Sequence, residues 1–586
     1  MLLIDLIKAL FPDGYLSFET DMVAAKGPIE GTDFRGPPYL CTDLFAIAAS
    51  ALQRSGAYHH VCSDSLPPSL RTITVDDMDR AHWRTAGEAW RAQEPPPPAV
   101  LTIWADFWSL RDADLFVTLA PVASEPAWWR LALSLMCIAD EAAQGLGFKR
   151  SASQLSLLAD LIERLFMSKI GHTKQPFSCS EANPDLVCVL PKSRTPSVGA
   201  TLRSLSHNLA LLPPRGLARA YWLPYTAPSR HDRTQDDKSL NCLLVPMPFR
   251  IQAQSIVGEP GQNGDTGAFH VDPVWCERSR PPHGPDSNDG FALFWSFIKA
   301  LIDEAETDVG EVHALVFPEL SLSASVFRKL ADRLKETHVE ILIAGLFDWV
   351  GDTDTEVTDG NYAALAVIGD DGLITHRQKH HRWRLDRQQI QSYSLGSALD
   401  PCISWWEDIS ITSRSLDVYV LRGTTTVTTL ICEDLARHDP CQELVRGIGP
   451  NIVFALLMDG AQLKERWPAR YATVLAEDPG SSVLSFTSLG LVERTNDTGR
   501  YAPSRSIGLW RDDRGETTEL SLPRDSQALC ISLRSTPFEE HTLDGRGDEK
   551  TSESWRLVGA QPVKIDTRND SAQQMLAGKW PKRRSR

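Results

Sequence analysis

A carboxylate, an amine and a thiol close three apolar stretches of this sequence, in the order Glu319, Lys379, Cys432. Cys432 follows TTTVTTLI, where seven of eight residues are β-branched, the composition of a packed strand. Glu433 and Asp434 suit the first turn of a helix, so Cys432 is expected at a strand-to-helix corner. Backbone N–H groups are unpaired at such a corner, and their field favours a thiolate and offers donors to an oxyanion. Glu319 ends HALVFPE, and Lys379 follows a strand over 362–368 and an Asp-Asp-Gly turn. Singly, each has a plainer explanation: a small core cysteine, a glutamate capping a helix, one basic residue among many in HRQKHHRWR. Together they supply a nucleophile, a proton acceptor and a charge stabiliser, the parts that acyl transfer through a covalent intermediate requires.

In this order the motifs resemble the nitrilase, or carbon–nitrogen hydrolase, superfamily over residues 240–533. The ICEDL form is similar to the glutaminase-type nitrilase domain of glutamine-dependent NAD synthetases. The resemblance implies a four-layer α-β-β-α sandwich and cleavage of an amide or nitrile C–N bond in a small-molecule substrate. Cys432 would carry the thioester or thioimidate, Glu319 would move the proton, and Lys379 with the backbone N–H of Glu433 would hold the oxyanion. That scheme calls for no metal and no organic cofactor. Many members carry a second Glu several residues past the Lys. Here RWRLDRQQIQ has none, which makes Asp386 the candidate second acid, and WWEDISITSRSLDVYV reads as an insertion before Cys432. A homodimer is implied by resemblance alone.

A reading of a different class stays open. Nitrilase-like domains also accompany prokaryotic reverse transcriptases in antiviral defence, and TPSVGATLRSLSH ahead of this domain is similar to those. The alternative is therefore a binding or sensor module with little or no turnover, its N-terminal domain meeting a protein partner. No Tyr-x-Asp-Asp polymerase motif is present. A glutaminase feeding ammonia to a partner synthetase is a third reading, since no ATP-binding synthetase motif follows.

Convergence of the three side chains demands strands that end together. Residues 239–251, 313–317, 339–346, 362–368, 451–457 and 482–487 read as strands, and 289–304, 323–336 and 467–477 as amphipathic helices. This alternation implies α/β layers. The expected organisation is a mainly helical N-terminal domain over 1–236, the hydrolase-like domain over 237–535, and a polar tail with a basic end over 536–586. Helical spacing falls at 40–52, 76–93, 127–144, 154–167 and 195–212, and the polar run 226–238 reads as a linker.

Other features take the plainer reading. Six Trp between 83 and 129 lack an interleaved basic stripe, so core packing outweighs a stacking surface. His59, His60 and Cys62 have no second ligand pair at zinc spacing. Arg203 and His207 read as a solvated helix face, and GEPGQNGDTG as a flexible loop with no Gly-Lys-Ser/Thr to cradle phosphate. A net charge of −16 argues against nucleic acid and anionic membranes. Eleven scattered Cys fit a reducing compartment, and the apolar N-terminus, interrupted by Asp5 and Lys8, makes a poor signal peptide. A cytoplasmic location is the expectation.

Overall fold

The structure, a computed structural model, describes residues 1–18, 29–31, 34–64, 67, 72–92, 95–117, 125–148, 178–196, 201–214, 218–223, 238–279, 288–351, 356–369, 372–539, 542–547 and 551–582. It is a mixed α/β protein built on two seven-stranded sheets. In sheet I the strands run in the order Ile374–Gln378, Val357–Val367, Ile341–Val350, Ala314–Val316, Ser239–Leu244, Ala528–Glu539, Thr551–Val563. In sheet II the order is Thr517–Ser521, Ser506–Arg511, Ser482–Thr487, Ile452–Leu457, Thr425–Ile431, Ser415–Leu421, Arg219–Leu223. The sheets face each other, with strand Val357–Val367 against Thr425–Ile431 and Ile374–Gln378 against Ser415–Leu421.

The central strands are buried on both faces, which is why they read as near-continuous apolar or β-branched runs. Helix Asn288–Val309 packs on Ser239–Leu244 and both C-terminal strands, and Ala324–Leu334 packs on Ile341–Val350. Trp467–Glu477 lies on Ser482–Thr487 and Ser506–Arg511 of sheet II. A smaller four-stranded sheet, Arg384–Leu385, Ser404–Glu407, Thr266–Val271 and Ile256–Pro260, flanks them. No helix among the described residues is long and apolar enough to cross a membrane.

Upstream, helices Cys41–Ser55, Asp77–Ala92 and Pro98–Ser109 pack around Ala127–Ala142. Trp83, Trp90, Trp104, Trp128 and Trp129 are buried among them, so these indoles are core and not a stacking platform. His60 lies against the Trp129 ring and the Cys62 thiol against the Ile73 carbonyl. The expected helix over 154–167, the body of the linker over 226–237 and the last four basic-end residues lie outside the described residues.

Four expectations need correction. Residues 195–212 do not form one helix: Thr201 caps a short 3-10 turn, Leu202–Ser204, and Leu209–Leu212 pairs antiparallel with Cys188–Pro191. The Asp140 carboxylate takes the backbone N–H groups of His207, Asn208 and Leu209 at 2.8–2.9 Å, donors a helix would have needed for itself. His207 is consequently buried, not solvated.

The Gly-rich run is not a loose loop but the turn of a hairpin between Ile256–Pro260 and Thr266–Val271, where Gly258 and Gly267 leave room for the Trp405 ring. Strand Arg219–Leu223, expected in the N-terminal domain, lies in sheet II, parallel to Ser415–Leu421. The tail from 536 is likewise no free end. Thr551–Val563 completes sheet I, helix Asp570–Leu576 follows, and Trp580 is buried against Phe294. Sparse apolar residues such as Trp555 and Val563 anchor it among polar neighbours, so composition alone hid it.

Candidate active site

Glu319, Lys379 and Cys432 leave the ends of strands Ala314–Val316, Ile374–Gln378 and Thr425–Ile431, and the fold brings all three together. Lys379 Nζ donates to Glu319 Oε1 at 2.9 Å, and the Cys432 thiol lies within electrostatic reach of both charges. All three side chains are buried.

The Glu319 bend is shaped by close backbone contact. Leu320 has φ +54°, a left-handed conformation rare for leucine. The Trp275 indole N–H donates to the Leu320 carbonyl at 3.2 Å, and Ser321 Oγ donates to the Pro318 and Met247 carbonyls. Gly345 on the neighbouring strand permits this approach, because a Cβ there would stand 2.4 Å from the Glu319 Cα. Capping of helix Ala324–Leu334 falls to Ser323, whose Oγ accepts from the Val326 N–H, which leaves Glu319 for other work.

Cys432 opens a 3-10 turn, Cys432–Ala436, with φ +41°. A β-strand feeding straight into such a turn forces the strained angle, of the kind that costs about 1–3 kcal/mol and clusters at functional sites. The expected thiolate-favouring corner is corrected here. Burial pushes the thiol well above its ordinary value, Glu319 adds to that, and Lys379 opposes without prevailing.

The second acid is Glu407, not Asp386. Lys379 Nζ donates to Glu407 Oε2 at 2.7 Å, and the Trp383 N–H donates to the same oxygen at 2.9 Å. Asn361 Nδ2 bridges the two acids, donating to Glu319 Oε1 at 2.7 Å and Glu407 Oε1 at 2.8 Å. Asp386 instead caps helix Arg387–Ser392 in a reciprocal box with Gln389. Glu407 ends the strand Ser404–Glu407 of the small sheet, inside the segment read as an insertion. A signal was present: in the alternating run SWWE, Trp405 and Glu407 share the inward face, and an inward acid needs a partner.

One ammonium between two carboxylates sets the charge state. Burial alone would lower Lys379, but Glu319 and Glu407 hold it well above the usual lysine range. Burial raises Glu319 above the usual carboxylate range, with Glu407 adding to it and Lys379 opposing. Glu319 Oε2 has no hydrogen-bond partner among the described residues. The cluster thus presents an acceptor with a raised pKa beside a protonated thiol.

Two further networks frame the turn. Asp434 accepts from the His380 and His381 backbone N–H groups at 3.0 and 3.2 Å and from Arg377 at 3.1 Å. His380, Asp434 and Cys441 bring possible metal-ligand atoms within 4.8 Å of one another. The Arg377 guanidinium already supplies the cation there, and His380 Nδ1 sits 3.1 Å from the Cys441 sulfur. This donor set therefore fits a hydrogen-bonded core better than a metal. On the other side Asp459, just past strand Ile452–Leu457, binds Tyr393 Oη, Arg466 and the Trp467 indole at 2.5, 2.7 and 3.0 Å.

No protein-family model matches this chain, and no curated protein matches it. Among solved structures it is similar to an amidase of the nitrilase superfamily from Nesterenkonia AN1, at 13% identity over 49% of this chain and 88% of that one, TM-score 0.28. It is also similar to a nitrilase-superfamily protein from Saccharomyces cerevisiae, at 14% identity over 49% and 88% of the two chains, TM-score 0.27. A glutamine-dependent NAD+ synthetase from Acinetobacter baumannii matches at 13% identity over 56% of this chain and 49% of that one, TM-score 0.30.

Proposed function

We propose that this chain is a carbon–nitrogen hydrolase, its four-layer sandwich carrying a Glu319–Lys379–Cys432 triad that opens an amide or nitrile through a cysteine adduct. The observation that carries the reading is the incomplete charge cluster. Lys379 is held by two acids, one of which keeps an unengaged oxygen, beside a cysteine at positive φ.

In this scheme Glu319 takes the thiol proton as the sulfur attacks the carbonyl carbon. The carbonyl π electrons move to oxygen, where the Lys379 ammonium and the Glu433 N–H stabilise the anion. Collapse expels the amine, which leaves with the proton from Glu319, and a thioester remains. Glu319 then removes a proton from water as its oxygen attacks the thioester, and the acid departs with the thiol restored. A nitrile would take the thiol proton onto its nitrogen to give a thioimidate with nothing expelled; a first water would then add and ammonia leave, and a second water would hydrolyse the resulting thioester. A base with a raised pKa beside a resting thiol suits a nucleophile generated only at attack. Glu407 and Asn361 orient Lys379 and Glu319 through their hydrogen bonds.

The test is ammonia release from acetamide, benzamide, glutamine and benzonitrile, with intact-mass detection of an adduct on Cys432. Cys432→Ala should release none. Glu319→Gln should lose about 10²–10⁴ in rate, the usual contribution of a general acid–base group. A wild-type chain that neither releases ammonia nor gains mass on any of the four would sink the hydrolase reading in favour of a binding module.

A further inference from the structure

We infer that Asp434 and Arg377 form a positioning pair that sets the nucleophile against its charged partners; the inference rests on the triad proposed above. Glu319 and Lys379 leave sheet I, whereas Cys432 leaves sheet II. The geometry of the triad is therefore only as exact as the joint between two separate sheets. A pair of faces packed by apolar side chains fixes spacing well but resists sliding poorly, because dispersion contacts have no direction. A directional link beside the site is what the chemistry needs.

Asp434 and Arg377 supply that link on both sides of both residues. Asp434, two positions after Cys432, is wholly buried and accepts from the N–H groups of His380 and His381, the two residues following Lys379, at 3.0 and 3.2 Å. Arg377, two positions before Lys379, is also buried and donates to Asp434 at 3.1 Å and, through Nε, to the Thr429 carbonyl at 3.0 Å. Thr429 stands three positions before Cys432. The residues bracketing the amine thus bind the residues bracketing the thiol. His381 Nδ1, 3.1 Å from Asp434 Oδ1, closes the arrangement.

Asp434 and Arg377 bond to each other, to backbone groups and to His381 rather than to Glu319, Lys379 or Cys432, so the role inferred is positioning rather than chemistry. A buried ion pair gives little net stability over an apolar replacement, which makes geometry the better explanation for its presence at this point.

The experiment compares Asp434→Asn, Arg377→Met and the double variant with wild type, in kcat and KM for whichever of acetamide, benzamide and glutamine the wild type hydrolyses. Asp434→Asn is expected to fold and to lose about 10²-fold in kcat with KM changed by less than about threefold, the signature of reacting groups misplaced by an ångström or less. Arg377→Met should behave alike, and the double variant should fall little further, because both break one link.

A readout without substrate accompanies it: the rate at which excess iodoacetamide alkylates Cys432, followed by peptide mass. Glu319→Gln should slow that rate in the wild-type background and have no effect in Asp434→Asn, where the base no longer meets the thiol. If Glu319→Gln has no effect even in the wild type, the proposed base fails and the positioning role falls with it. If the slowing persists undiminished in Asp434→Asn, or that variant keeps wild-type kcat, the positioning role alone is overturned.

Discussion

Two buried cations in this molecule sit among carboxylates, and they are finished to different degrees. Arg546, in the turn between the two C-terminal strands of sheet I, reaches Asp544, Glu141 and Asp140 at 2.8, 3.1 and 3.5 Å. Its remaining donors go to the Cys137 and Leu205 carbonyls. Asp140 in turn holds the three N–H groups of His207, Asn208 and Leu209 with both of its oxygens. Lys379 is equally buried between Glu319 and Glu407, yet Glu319 Oε2 and Asn361 Oδ1 are left without partners among the described residues. Leaving a buried acceptor unmade costs about 1–3 kcal/mol, and here that cost falls beside a cysteine at positive φ. The Arg546 cluster engages both oxygens of Asp140 and of Asp544. It reads as a rivet between the upstream helix Ala127–Ala142 and sheet I.

The sharpest way to break that contrast is to remove each cation. Lys379→Met and Arg546→Met both leave carboxylates buried without their partner, a loss of about 3–5 kcal/mol in comparable pairs. Both should lower the thermal midpoint. Only Lys379→Met should also abolish most turnover, by about 10²–10³ from lost oxyanion stabilisation. Arg546→Met, assayed below its midpoint, should keep wild-type kcat for the amides named above. Equal loss of activity in both would make the rivet part of the active site and erase the distinction. The same rivet argues that a fragment cut near residue 240 would not stand alone. It would lose strand Arg219–Leu223 from sheet II and all of Asp140 and Glu141 from around Arg546.

Much of the two-sheet half was legible because its signals are local. The β-branched run before Cys432, the helix Trp467–Glu477 and the strands around 452–457 and 482–487 emerge within a residue or so of their expected bounds. Glu319, Lys379 and Cys432 were legible as strand-end residues in a set order. What sequence hid is long-range. The helical spacing of 195–212 lost to a carboxylate on Asp140, 67 to 69 residues away in the chain. Glu407 is hidden in the sequence because its partner Lys379 lies 28 residues upstream at the end of a strand of another sheet. The raised thiol pKa of Cys432 is hidden for a related reason: a corner's local field can be read from neighbours, but burial by the rest of the fold cannot.

The comparison sharpens at His380, which is buried beside the Asp434 network but carries no needed charge. Burial lowers its pKa from the ordinary histidine value of about 6.5 to about 4 despite the neighbouring Asp434. The sign follows from the unfolded chain binding this proton more readily than the folded one. The stabilisation is complete above about pH 6.5 and is lost as pH falls toward 4, amounting to about 3 kcal/mol over that window. The wild-type thermal midpoint should drop between pH 6.5 and 4, and His380→Gln should flatten part of that drop. An unchanged slope in the variant would mean that His380 titrates normally and that its surroundings admit water.

The smallest effect belongs to Asp386, and it tests whether burial rather than sequence position decides which acid matters. Asp386 stands nearer to Lys379 in sequence than Glu407 does, yet its carboxylate accepts from the Gln389 N–H at 2.9 Å, and the Gln389 side chain accepts from its own N–H at 3.2 Å. That is a helix cap, and its loss is ordinarily worth about 1 kcal/mol. Asp386→Ala should therefore lower stability by about that amount and leave kcat and KM where they were. Glu407→Gln keeps the shape of the side chain but removes one of the two charges holding Lys379, and an amide in its place cannot accept from both Lys379 and Trp383 while also receiving Asn361. Lys379 would settle toward Glu319 and occupy the base, with a fall in kcat of about 10² expected from the displacement. Should Asp386→Ala cost the larger share of activity, the small sheet carrying Glu407 would be mere decoration on the site. The second acid would then be Asp386.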